Sequence, residues 1–180
     1  MEQNILPYDG QVYLINDFLD RSSAMDYFNR LKENVVWAPD EVRMYGKVIQ
    51  TKRLVAFHGE KGISYAYSGS RKKAEIWFKE LSELKEICQS TTGVKYNACL
   101  LNYYSSGKIG MAWHADDEKE MGKHPVIASI SLGCDRVFSF RHKDTGDEVS
   151  ILLPSGSLLI MKGKTQTHWQ HALPKSPQTV

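Results

Sequence analysis

The 180-residue chain carries 42% apolar and 24% charged residues, enough for one packed core, with a formal net charge of +2. That charge is too small for a protein that holds nucleic acid by electrostatics alone, and no run approaches the roughly 18 apolar residues of a membrane span. Cys88, Cys99 and Cys134 form no CxxC pair, which argues against a disulfide framework or a zinc cage.

MEQNILPYDG has no basic stretch leading into an apolar run, so the expected location is the cytosol, or the nucleus in a eukaryote. No repeat or linker divides the sequence, and one domain over residues 1–180 is expected. Val12 to Ile15 reads as a short strand. Asp20 or Ser22 can cap a helix carrying Met25, Phe28 and Leu31 at spacings of three. A second helix is expected from about Arg71 to Gln89, with Ile76, Trp77, Leu81, Leu84 and Ile87 on its apolar face.

The second half changes period. Asn97 to Tyr103, Pro125 to Leu132, Val137 to Phe140, Glu148 to Leu153, Ser157 to Met161 and His168 to Ala172 are runs of strand length, punctuated by SSGK, LGCD, DTGD, PSG and KGK. The expected fold is mainly β, a double-stranded β-helix (jelly roll) with two N-terminal helices packed outside.

A histidine followed two residues later by a carboxylate puts two metal-capable side chains on one face of a strand. The pattern occurs at His58/Glu60, His114/Asp116 and His142/Asp144. The first and third sit in turn-rich surroundings and read as solvated polar residues. His114 instead begins a dense acidic run, Asp116, Asp117 and Glu118, whose mutual repulsion a cation would relieve. A third ligand is expected from THWQHALP, as His168 or His171. Two histidines and a carboxylate on one face of an iron leave positions open, as oxygen-activating Fe(II) sites require. Residues three apart on a strand face opposite sides, so only one of His168 and His171 can serve, and spacing alone does not say which.

The stretch from Asn102 through Tyr104, Gly107, His114, Asp116, Asp117 and Glu118 resembles the AlkB family pattern of N-x-Y, a glycine, a short spacer and H-x-D-D-E. Further matches follow in order: Ile127-Ala-Ser-Ile-Ser-Leu-Gly, Phe138-Ser-Phe-Arg-His-Lys-Asp144, and Gly156-Ser-Leu-Leu-Ile-Met with His168-Trp-Gln-His171. The resemblance covers roughly residues 40 to 175 and is nearest to the eukaryotic-type DNA repair members.

It implies an Fe(II)- and 2-oxoglutarate-dependent dioxygenase that uses molecular oxygen to demethylate 1-methyladenine or 3-methylcytosine in DNA. His114, Asp116 and His171 would ligate iron, and Asn102 and Tyr104 would hydrogen-bond 2-oxoglutarate. Glu118 would face the target base, while Tyr65, Tyr67 and Ser68 in SYAYSG would form the base pocket. Tyr45, in Met44-Tyr-Gly-Lys47, resembles a hairpin tip that wedges into the base stack, with Arg53 a nearby phosphate or base contact. A monomer acting on DNA, or on RNA, away from any membrane is the implied working state. Two rival readings share these residues: the same chemistry on methylated RNA or protein, and a non-catalytic nucleic-acid-binding relative.

The family also carries, just after its third ligand, an R-x-N-x-x-x-R segment whose arginines bind the distal carboxylate of 2-oxoglutarate. The sequence stops at Pro177-Gln-Thr-Val180, about where that segment begins. The resemblance therefore implies a chain lacking its last strand, with weak cosubstrate binding unless another cation, such as Arg141, serves the carboxylate.

Overall fold

The computed structural model describes residues 3–44, 47–67 and 70–177. In chain order its first elements are β1 (Gln11–Ile15), α1 (Arg21–Asn34), β2 (Ala38–Met44), β3 (Lys47–Gly59), β4 (Ser64–Tyr67), β5 (Ser70–Lys73), β6 (Glu75–Ile76) and α2 (Lys79–Thr92). There follow β7 (Ala98–Tyr103), β8 (Met111–His114), β9 (Ile127–Ile130), β10 (Arg136–His142), β11 (Glu148–Leu153), β12 (Leu158–Lys162), α3 (Thr165–His168) and β13 (Trp169–Leu173). The chain divides into two compact units, one of Met1–Asn29 with Ser106–Val180 and one of Arg30–Ser105.

The first unit contains the expected jelly-roll sheets. One has the strand order β1-β12-β9 and the other β11-β10-β13-β8. Val12, Leu159 and Met161 from the first sheet and Phe140, Leu153 and Trp169 from the second form one buried cluster with Leu6. Alternation explains the choice of residues: Phe138, Phe140 and His142 point to one face of β10 while Val137 stands 45% exposed on the other. Each large side chain so buried contributes about 1.5–3 kcal/mol.

β12 is covered on both faces, since Leu158 and Leu159 are both fully buried. Its entry turn depends on Gly156, whose φ is +87° and where a Cβ would lie 2.4 Å from the Leu19 carbonyl oxygen. α1 starts nearby, capped by Asp20, whose Oδ1 accepts from the backbone N–H of Ser22 at 2.9 Å and of Ser23 at 3.0 Å. Leu31 is buried and Phe28 half-buried on this helix as expected, but Met25 is 42% exposed and Ala24, fully buried, takes its place on the apolar face.

In the second unit β2, β3 and β6 form a sheet in that order, with β7 also paired to β3. The expected helix from Arg71 is corrected here. Ser70–Lys73 pairs antiparallel with β4, Glu75–Ile76 pairs parallel with β3, and the helix begins only at Lys79. Ile76 is 74% exposed, and the residues that α2 buries are Leu81, Leu84 and Cys88. Ile76 supplied an apolar residue at helical spacing, but pairing with β3 claimed its backbone. α2 ends at Gly93, which takes the left-handed conformation at φ 70°.

Candidate metal centre

Two groups of three side chains among the described residues bring possible metal-ligating atoms within 4.8 Å of one another: His114 with Asp116 and His171, and Asp9 with His142 and His168. Both are two imidazoles and a carboxylate. The protons on the imidazoles distinguish them.

In the first group, β8 and β13 are antiparallel neighbours and pair His114 directly with His171. Their rings lie 4.2 Å apart, with His171 Nε2 3.4 Å from Asp116 Oδ2 and His114 Nε2 3.9 Å from Asp116 Oδ1. His114 Nδ1 sits 2.8 Å from the carbonyl oxygen of Ala112. A carbonyl only accepts, so Nδ1 carries the proton and Nε2 presents its lone pair towards the carboxylate. Phe138 stacks on the buried His171 ring at 5.4 Å and 22°, which fixes its orientation. Asp116 stands two residues past the end of β8, so the pair converges across the strand end and not along one strand face. The donor set and its spacing fit an Fe(II) ion held on one side, with three atoms that need only close in slightly on an ion at about 2.0–2.2 Å.

In the second group His142 is buried, at 4% exposed, which corrects the expectation of a solvated residue. Its Nδ1 accepts from the backbone N–H of Asp144 at 3.4 Å and of Thr145 at 3.2 Å. The neutral ring therefore carries its proton on Nε2, which faces Asp9 Oδ2 at 3.6 Å. A protonated nitrogen has no lone pair for a metal, and this group reads as an internal polar contact. His168 stacks against His142 with parallel rings 6.1 Å apart. It closes the single turn of α3 and does not lie on the strand, so the alternation expected for His168 and His171 applies to His171 alone.

The pair His58/Glu60 belongs to neither group. His58 Nδ1 lies 3.0 Å from the Ile76 carbonyl oxygen, and Glu60 Oε1 lies 3.3 Å from Lys85 Nζ.

Asn102 lies on β7 and Tyr104 one residue beyond it, in the second unit. Arg53, expected as a phosphate or base contact, is only 5% exposed. Its guanidinium donates to Asp40 Oδ2 at 2.7 Å and to Asn102 Oδ1 at 2.9 Å. The charge is thus spent on a buried carboxylate, and Arg53 orients Asn102 instead of reaching phosphate. Asn102 Oδ1 being taken, its amide N–H donors are what it can offer a carboxylate. Arg141 pairs with Gln170 in a register that alternates with Phe140 opposite His171. It therefore faces the other side of the sheet from the His171 ring, its guanidinium 4.4 Å over the Trp113 ring, and cannot serve a cosubstrate beside the triad. Glu118 precedes a short turn of 3-10 helix, Lys119–Met121. Tyr65 and Tyr67 stand at alternate positions of β4, with side chains outside the description, and Tyr45 and Ser68 lie outside the described residues.

Gln166 was not singled out by sequence reasoning. It is 4% exposed, and its Oε1 accepts from the backbone N–H of Asp116 at 2.9 Å.

The family model of the 2OG-Fe(II) oxygenase superfamily matches residues 11–179. The chain belongs to this superfamily. Within it the similarity is to AlkB-type members. Alpha-ketoglutarate-dependent dioxygenase alkB homolog 3 of Bos taurus is 37% identical over 176 residues, covering 92% of this chain and 61% of the relative. DNA oxidative demethylase ALKBH2 of Arabidopsis thaliana is 32% identical over 197 residues, covering 94% and 63%. The ALKBH2 of Mus musculus is 34% identical over 165 residues, covering 86% and 69%. This chain thus spans roughly three fifths of the length of the first two relatives. The solved structure of OsALKBH1 shares the fold, with a TM-score of 0.64 at 17% identity over 94% of this chain and 86% of that one.

Among the described residues no helix is long and apolar enough to cross a membrane.

Proposed function

We propose that the chain removes methyl groups from alkylated bases in DNA, of the 1-methyladenine and 3-methylcytosine type, at an Fe(II) centre held by His114, Asp116 and His171. The observation that carries the reading is the convergence of those three side chains, with His114 Nε2 left unprotonated by the bond from Nδ1 to Ala112. The relatives named as DNA oxidative demethylases support the substrate class.

When bound, the iron supplies oxidation of a C–H bond coupled to decarboxylation of 2-oxoglutarate by dioxygen. The chain's residues do the rest. His171, buried and stacked by Phe138, gives a ligand that does not turn away. Asp116 supplies the anionic ligand and offsets part of the ion's charge. Asn102, oriented by Arg53, and Tyr104 donate hydrogen bonds to the carboxylates of 2-oxoglutarate. Glu118 faces the alkylated base, and Tyr65, Tyr67 and Ser68 hold it once it leaves the stack, with Tyr45 filling the gap behind it. The hydroxylated methyl group leaves as formaldehyde. A monomer acting in the cytosol or nucleus is the working state proposed.

The test is a panel of oligonucleotides, single- and double-stranded DNA and RNA, each carrying one methylated base, incubated with Fe(II) and 2-oxoglutarate and read by mass spectrometry. Loss of the methyl group from DNA is expected. Succinate release with every oligonucleotide left intact would move the chain to another substrate class, and demethylation of RNA alone would replace DNA as the substrate.

A further inference from the structure

Asp116 is the one candidate ligand outside regular structure, two residues past the end of β8, and something other than a strand ladder must hold it. Its backbone N–H donates to Gln166 Oε1 at 2.9 Å. Gln166 is itself held at both ends. Its Nε2 donates to Met161 Sδ at 3.6 Å on β12, and its backbone carbonyl accepts from Lys143 Nζ at 2.8 Å. The neighbouring Thr165, 1% exposed, ties the same turn down: its Oγ1 accepts from the Gln11 N–H at 2.9 Å and lies 2.6 Å from the Lys162 carbonyl. Lys143 reaches the acidic run as well, its Nζ standing 3.7 Å from Asp117 Oδ2.

We infer that Gln166, backed by Lys143, is a positioning residue that sets the Asp116 segment at the spacing a metal requires before any metal arrives. The inference rests on the proposed ligand set. Gln166 offers no atom to the ion and acts through the backbone of its anionic ligand. A residue that orients a ligand in this way commonly contributes 10- to 100-fold in metal affinity. Lys143 adds a charge-assisted bond to the Gln166 carbonyl and an attraction to Asp117 that keeps the acidic run from splaying apart.

The test uses the metal-free chain and then Mn(II) alone. NMR hydrogen exchange reports the Asp116 amide, and calorimetry reports Mn(II) affinity. Gln166→Met keeps the side-chain length and removes the acceptor. It is expected to abolish protection of the Asp116 amide and to weaken Mn(II) binding about 10- to 100-fold. Gln166→Glu retains an acceptor oxygen and should restore the protection. Lys143→Met, at a residue whose side chain is 30% exposed and so tolerant of change, should weaken Mn(II) binding by less than about tenfold. A Gln166→Met chain that loses the protection but binds Mn(II) as wild type does would overturn the inference alone. An Asp116→Ala chain with wild-type Mn(II) affinity would overturn the ligand set, and the inference with it.

Discussion

His114 and His171 stand directly opposite each other on neighbouring antiparallel strands, which brings their rings to 4.2 Å across β8 and β13. Register alone brings together two of the three candidate ligands. A one-residue slip of either strand would turn one imidazole to the other face.

Orientation of the second imidazole depends on Phe138, stacked on His171 at 5.4 Å. Phe138→Leu keeps an apolar side chain but removes the flat surface that fixes the ring. Mn(II) affinity is expected to fall roughly tenfold, within the range for residues that orient metal ligands. Calorimetric titration of the folded variant checks this, and an unchanged affinity would show that packing elsewhere holds the ring.

The buried ion pair of Arg53 and Asp40, at 2.7 Å with side chains 6% and 4% exposed, is expected to be sensitive to loss of one partner only. Asp40→Ala leaves an unpaired buried guanidinium and should destabilise the chain by roughly 3–5 kcal/mol. Arg53→Met with Asp40→Leu should recover most of that in urea unfolding, but it leaves Asn102 without its orienting donor. The double variant is therefore expected to be stable and to bind 2-oxoglutarate more weakly than wild type.

Asp20 supplies a pH signature. Bonds from the Ser22 hydroxyl, then the Ser23 hydroxyl and backbone N–H, hold its carboxyl well below the usual carboxylate range. A folded pKa depressed below the unfolded value of about 3.9 means the cap's contribution is fully present above that value. It is lost only as the pH falls towards the folded pKa. The difference in urea midpoint between wild type and Asp20→Ala should be constant from neutral pH down to about pH 5 and shrink in more acid solution. A difference already closing at neutral pH would assign the stabilisation to another group.

The jelly-roll strands were legible because glycine turns separate short runs that are either apolar at alternate residues, as Val149, Ile151 and Leu153 of β11, or continuously apolar, as Leu158–Met161 of β12. β3, the longest strand, was not. Its first four residues are exposed, and its order comes from pairing with β2 on one side and β7 on the other, contacts that no local period records. The same holds for single residues. Arg53 read as an exposed cation because the carboxylate that buries it, Asp40, sits across a bulged β2–β3 pairing. His142 read as a turn residue because Tyr8, whose ring packs edge-on against it at 5.1 Å, comes from the far end of the chain. Gln166 had no signal at all: a glutamine in a four-residue helical turn matters only through what its amide meets. His114, Asp116 and His171 were legible through their spacing and family resemblance, while the proton position on His114 required the structure.

The most direct measurement of the central claim is formaldehyde release from a 1-methyladenine DNA oligonucleotide, at saturating 2-oxoglutarate with Fe(II), by wild type and by Asp116→Ala. The variant's fold is checked by circular dichroism. Wild type is expected to release formaldehyde in step with succinate, and Asp116→Ala none, because removing the anionic ligand leaves two neutral imidazoles to hold the ion. Formaldehyde release by Asp116→Ala at the wild-type rate would contradict the account.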